Sequence, residues 1–218
     1  MVEVLRLPDL QAVIDQAAER FLEVARADGA KHIVLTGGGA GIGLLRKLRD
    51  ADVDWSGIHL YFGDERNVPV SHEDSNEGQA REALLDHIAI PAENIHGYGL
   101  GEVSMDEAAA KLEAILPEHF DLHLMGMGGE GHINSLFPHS QATAEENCLV
   151  VPVEDSPKPP AQRVTLTFPA IARAKRVWLL VAGEEKHEAA QHVIDGADRM
   201  DWPAAGAKGQ EETLLFLA

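Results

Sequence analysis

Cysteine is nearly missing from this chain, and that scarcity already removes several kinds of protein. Cys148 stands alone, so no disulfide forms within one chain, which fits a reducing compartment. With one thiol, and no His-Glu-x-x-His among the eleven histidines, no zinc cluster is expected. Long hydrophobic runs are missing too. The longest are strand-length, so no membrane span is expected. The opening MVEVLRLPDL lacks a basic start followed by an apolar block, so no secretory signal is expected and the cytoplasm is the anticipated compartment. Positive charge is scarce: 18 Lys and Arg face 36 Asp and Glu, a formal net charge of −18. Such a surface repels nucleic acid and anionic lipid, and neither is expected as a partner. An anionic small molecule stays admissible where the local site is positive. No Gly-x-Ser-x-Gly elbow is found, which argues against a serine hydrolase of that type.

The chain has 218 residues, 45% of them hydrophobic, enough for one sizeable core, and 1–218 reads as one domain. Leu10, Ile14, Ala17, Phe21 and Val24 form a one-sided helical stripe that opens at Pro8-Asp9 and ends at Gly29. His32–Leu35, Ile58–Phe62, Leu122–Met125, Leu149–Val153, Arg163–Phe168, Val177–Ala182 and Thr213–Leu217 read as strands. Between them lie helices: one from about Leu44 to Arg49, one carrying Ala80, Ala83, Leu84 and Ile88 with Ser75 or Asn76 as cap, Asp106–Leu116, and Glu184–Ile194. The last reads as a solvated face. Pro91–Glu102 reads as irregular, as does the proline segment Asp155–Pro160. Strands alternating with helices predict an α/β fold, a doubly wound and mainly parallel sheet with helices on both faces.

In such a fold the ligand crevice lies outside the carboxyl ends of the strands. Two strands run straight into glycine. Leu122–Met125 leads into Gly126, Gly128, Gly129 and Gly131, with Glu130 and His132 among them. A histidine flanked by a carboxylate is suited to proton transfer near neutral pH. His32–Leu35 leads into Thr36-Gly37-Gly38-Gly39-Ala40-Gly41-Ile42-Gly43. A strand–glycine–helix junction binds phosphate through backbone N–H groups. No Lys-Ser/Thr follows Gly43, so this is not a Walker loop. Gly-x-Gly-x-x-Gly also fails, because Ile42 or Leu44 occupies the third glycine position. A nucleotide cofactor is therefore disfavoured, while a phosphate on a small molecule fits. Asp64, Glu65 and Arg66 follow a strand at the same sheet edge. Arg66 can grip a phosphate with two N–H groups, and Asp64 can orient a hydroxyl or a histidine. Lys158 and Arg163 put two cations on the stiff proline segment, a local positive patch in an acidic chain.

GDERNVP with EDSNEGQAREALL, GMGGEGHINSLFP, SPKPPAQRVTLTFPAI and VAGEEKHEA, in that chain order, resemble the 6-phosphogluconolactonase family. The resemblance spans about Thr36 to Ile194. It implies a fold related to glucosamine-6-phosphate deaminase and hydrolysis of 6-phosphogluconolactone to 6-phosphogluconate, in the oxidative pentose phosphate pathway, with no cofactor; the lack of any ligand cluster in the sequence predicts no metal. By position, His132 resembles the general base, Asp64 a nearby polar partner, and Arg66 and Lys158 phosphate ligands. Glu130 stands where the family commonly has Asp. Gly37-Gly38-Gly39 resemble the start of its phosphate loop, but Gly39-Ala40-Gly41 replace the usual Ser-Thr-Pro, so the phosphate is expected to rest on N–H groups and cations. The expected partner is the sugar-phosphate lactone, and a monomer is expected. Two alternatives stand beside this reading. One is a deaminase/isomerase acting on glucosamine 6-phosphate, although GHINSLFP lacks that enzyme's Asn-Glu-Pro. The other is a non-catalytic sugar-phosphate sensor, for which no output module is left over.

Overall fold

Residues 1–218 are described by a computed structural model, whose strands are mostly the short apolar runs of the sequence: β1 (Glu3–Arg6), β2 (Lys31–Leu35), β3 (Ile58–Phe62), β4 (Asp64–Arg66), β5 (Ile95–His96), β6 (Leu122–Met125), β7 (Val150–Val153), β8 (Arg163–Leu166), β9 (Arg176–Val181) and β10 (Glu212–Leu217). The helices are α1 (Leu10–Arg26), α2 (Gly38–Lys47), α3 (Asn76–Ala83), α4 (Met105–Ile115), α5 (Gln141–Ala144), α6 (Phe168–Ile171) and α7 (His187–Asp195). Seven strands form one parallel sheet in the order β1-β10-β9-β6-β2-β3-β5. From β2 the chain first builds outward to β3 and β5, then returns to lay β6, β9 and β10 on the other side. The strand order therefore reverses between β2 and β6, and a crevice opens there at the carboxyl ends.

Burial accounts for the central strands. All four residues of β6 and five of the six in β9 are buried, as expected for strands covered on both faces. α1 packs against α2 and against β9 and β10, with Val13, Ala17 and Phe21 fully buried. Asp9 caps this helix by accepting the Ala12 N–H at 2.8 Å. Trp55 and Trp178 lie in the core, whereas Trp202 is half-buried and stacks on His192.

The structure departs from the sequence reading in several places. β7 and β8 do not join the parallel sheet. They form a separate antiparallel sheet with β4, in the order β4-β8-β7. The charged Asp64-Glu65-Arg66 reads as a loop because it has no apolar pattern, yet its backbone pairs with Arg163–Thr165. Gly63 is the hinge between the two sheets: its N–H donates to Leu35 C=O at 3.1 Å, and its C=O accepts the Leu166 N–H at 2.9 Å. α2 begins at Gly38, six residues before the expected start, because glycine composition hides its first turn. α3 ends at Ala83 and leaves Ile88 outside. Lys186 ends a tight turn, Glu184–Lys186, that precedes α7. β1 and β5 were not expected. Leu10 is 42% exposed and is not a core residue.

Candidate active site

The two glycine segments meet at the reversal point. Thr36, at the end of β2, accepts the Gly126 N–H on its Oγ1 at 3.0 Å, which ties the ends of β2 and β6 together. Beyond this tie lies a cavity of about 400 Å³. Gly37 caps α2 in extended conformation with no side-chain bond, so the first amides of the helix stay unpaired. Asn76 stands against Gly37, and a Cβ there would come within 2.7 Å of its Oδ1. Gly37 and Gly38 line the cavity; Gly39 turns into a smaller adjoining cavity beside Leu10. Of the three glycines expected to hold phosphate, Gly37 and Gly38 line this cavity and Gly39 does not.

The second segment folds on itself. Gly131 N–H donates to Gly128 C=O at 2.9 Å, and Gly128 N–H to His132 C=O at 3.0 Å. This ring projects the His132 side chain into the cavity, with 18% of it exposed. One face stacks on Phe137, centroids 4.6 Å apart. His132 Nδ1 lies 2.8 Å from Glu130 Oε1. A carboxylate there requires the ring proton on Nδ1 and leaves Nε2 as the lone-pair nitrogen, the tautomer a base needs. Burial pulls the His132 pKa below its ordinary 6.5, and Lys158 adds to that, while Glu130 and Asp64 pull the other way. Burial alone would raise Glu130, but its own backbone N–H, His132 and Lys158 outweigh this and hold it below the usual carboxylate range. Glu130 does not line the cavity; it stands behind His132.

Asp64 does line the cavity, but it holds no bond to His132. Its Oδ2 accepts the Ser135 hydroxyl at 2.5 Å, its Oδ1 accepts Asn76 Nδ2 at 3.0 Å, and Arg163 Nη1 is 3.8 Å away. It is thus bonded to a hydroxyl, that of Ser135, and to no histidine. Arg66 donates through Nη1 to Asp74 C=O at 3.0 Å and to Asn76 Oδ1 at 2.8 Å, and its Nε is buried without a partner. Buried Glu65 aligns this corner by accepting the N–H groups of Arg66, Asn76 and Glu77 at 2.8, 2.8 and 2.9 Å.

Lys158 and Arg163, expected as a local positive patch, both line the cavity but are held by different partners. Arg163 is 4% exposed and turns back on the proline segment: Nε donates to Pro160 C=O, and Nη2 to the C=O groups of Lys158 and Pro159. Its guanidinium also sits 5.7 Å from the Phe137 centroid. Arg163 reaches the cavity wall, yet most of its donors brace the loop. Lys158 Nζ lies 3.0 Å from Glu130 Oε1. Sequence reasoning missed Lys186, which lines the cavity near Gly37 and Gly38, and Asn76, seen only as a helix cap. Together Arg66, Lys158, Arg163 and Lys186 face the cavity against Asp64 and Glu185. The local balance is positive in a chain of net charge −18, the condition an anionic ligand requires.

A family model described as glucosamine-6-phosphate isomerases/6-phosphogluconolactonase matches residues 8–216. A 6-phosphogluconolactonase of Mycobacterium leprae is 50% identical to the chain, covering 96% of it and 92% of the relative. A solved 6-phosphogluconolactonase from Thermotoga maritima superposes with a TM-score of 0.89 at 27% identity, covering 100% of this chain and 99% of that one. A solved monomeric glucosamine-6-phosphate deaminase, 19% identical, shares the fold with a TM-score of 0.85 over 99% of this chain and 97% of its own.

Proposed function

We propose a mechanism from the premise that the chain belongs to the glucosamine-6-phosphate isomerase/6-phosphogluconolactonase family. It hydrolyses 6-phosphoglucono-1,5-lactone to 6-phosphogluconate, the lactone-opening step of the oxidative pentose phosphate pathway. The observation that carries the mechanism is the Glu130–His132 pair at one side of a cavity whose other side is the open N-terminus of α2.

The lactone is an internal ester, and water attacks its carbonyl poorly unless a base takes a proton during attack. His132 Nε2 is that base; a positioned base contributes about 10²–10⁴-fold. The water oxygen bonds to C1, the C1–ring oxygen bond breaks, and the proton held on His132 passes to the departing ring oxygen. Glu130 keeps the ring in the productive tautomer and offsets the charge of the imidazolium. Asp64 and Ser135 hold the cavity wall beside it. The phosphate rests on the amides at Gly37 and Gly38, with Arg66 and Lys186 as cations, and its binding positions the distant carbonyl. These steps call for neither a metal nor an organic cofactor. Residues 1–218 act as one lactonase domain, as a monomer, in the cytoplasm.

The test generates 6-phosphogluconolactone in situ and follows its loss with and without the protein, background hydrolysis subtracted and glucosamine 6-phosphate as control. Accelerated loss of the lactone, without ammonia release from the amino sugar, supports the reading; the reverse pattern refutes it.

A further inference from the structure

The resemblance makes Lys158 a phosphate ligand, but its ammonium is engaged elsewhere. Nζ lies 3.0 Å from Glu130 Oε1 and 3.2 Å from Oε2. The same Oε1 is 2.8 Å from His132 Nδ1. One carboxylate thus lies between an ammonium and the imidazole proposed as base. We propose that Lys158 is a positioning residue for His132, acting through Glu130, rather than a ligand of the substrate phosphate. The inference deepens the lactonase reading and rests on it for its catalytic meaning.

The reach of Lys158 is set from below. Its C=O accepts the Ser156 hydroxyl at 3.0 Å and Arg163 Nη2 at 3.1 Å, and its N–H donates to Ser156 Oγ at 3.3 Å. Arg163 is buried and also holds the next two carbonyls. The segment is therefore anchored where the lysine leaves it, and the half-exposed side chain runs to Glu130.

The chemistry explains the need for a cation there. A carboxylate at Nδ1 orients the ring, but an uncompensated negative charge also favours the imidazolium, which cannot accept a proton. An ammonium on the far side of the carboxylate keeps the orientation and weakens that bias. The other charges facing His132 do not substitute for it. Asp64, on β4, favours the imidazolium as Glu130 does. Arg163, on β8, is spent on carbonyls and on the Phe137 ring. Glu185 and Lys186, following β9, line the same cavity with opposite charges. Lys158 pulls the His132 pKa down, in accord with this assignment.

The test compares wild type, Lys158→Met and Lys158→Arg by two readouts. The first is an NMR titration of the His132 ring in protein free of substrate, which needs no turnover. The second is the pH profile of kcat/KM on 6-phosphogluconolactone and on unphosphorylated gluconolactone. Lys158→Met should raise the His132 pKa by about half to one pH unit and move the acid limb of both profiles by as much. Below that limb the fold loss should be the same on the two lactones, and Lys158→Arg should restore the wild-type limb. An unchanged His132 titration in Lys158→Met overturns the inference. So does a loss of about tenfold or more confined to the phosphorylated lactone, which makes Lys158 a phosphate ligand. A shifted titration in a protein that turns over neither lactone upholds the Lys158–Glu130–His132 coupling and refutes the lactonase reading instead.

Discussion

The two glycine segments flanking the reversal point have similar compositions and opposite fates. The one after β2 enters a helix at once. Gly41 and Gly43 let α2 lie close to the chain: a Cβ at Gly41 would strike Thr36 C=O, and one at Gly43 would strike Ile14. What this segment offers is backbone N–H groups. The one after β6 stays out of regular structure, closes a ring between Gly128 and His132, and offers a side chain. A Cβ at Gly128 would collide with His132 Nδ1 and approach Glu130 Oε2 at 2.5 Å. Glycine in the first makes room for a helix, and in the second for an imidazole–carboxylate pair. Whether a strand end binds or reacts is decided by the residues that come after its glycines.

His132→Asn is the strongest way to separate the two. It keeps a polar side chain that cannot take a proton, so kcat should fall by about 10²–10⁴-fold while the product 6-phosphogluconate still binds with nearly wild-type affinity. In the wild type, kcat/KM should fall on acidification through a pKa below histidine's ordinary 6.5, the direction burial imposes on His132. Arg66→Ala addresses the binding side. It should lower kcat/KM on 6-phosphogluconolactone by roughly tenfold to hundredfold and spare plain gluconolactone, as expected for the loss of one charge-assisted contact. An equal loss on both would give Arg66 a structural role only.

The strand feeding the reactive segment carries its own liability. His123 on β6 is fully buried, no partner stands within good hydrogen-bond geometry of its ring nitrogens, and burial, opposed only by nearby Asn134, lowers its pKa to about 3. Unfolding exposes it to an ordinary pKa of about 6.5. Between those values the unfolded state binds a proton that the folded state does not, so stability falls as pH drops below about 6.5, by up to about 1.4 kcal/mol per pH unit. Replacing His123 with Leu should flatten that slope in denaturant unfolding measured from pH 7 to 5. The smallest effect belongs to the binding segment. Gly38 has φ +77°, and a Cβ there meets nothing within 4 Å. Gly38→Ala should therefore cost only the left-handed backbone, about 1 kcal/mol, or a Tm lower by about 2–4 °C.

The central strands were legible because β2, β3 and β6 are apolar runs with hardly a charge inside them. β4 was not, since Asp-Glu-Arg pairs through its backbone while Asp64 and Arg66 turn their side chains to the cavity. The Glu130–His132 partnership was within reach of sequence reasoning, being two residues apart. The Asp64–Ser135 bond spans 71 residues and depends on how the two sheets meet at Gly63. Lys186 reads as part of a charged helical face; the short turn before α7 brings it over the end of the sheet instead.

β1 pairs with β10, Glu3 beside Leu214 and Arg6 beside Leu217. During synthesis, residues 3–6 leave the ribosome about two hundred residues ahead of their only sheet neighbour. The edge of the sheet cannot be laid down until almost all of the chain is available, and such long-range pairing slows folding. Free chains truncated before residue 212 should therefore leave β1 open to protease, and chains that extend through residue 217 should protect it.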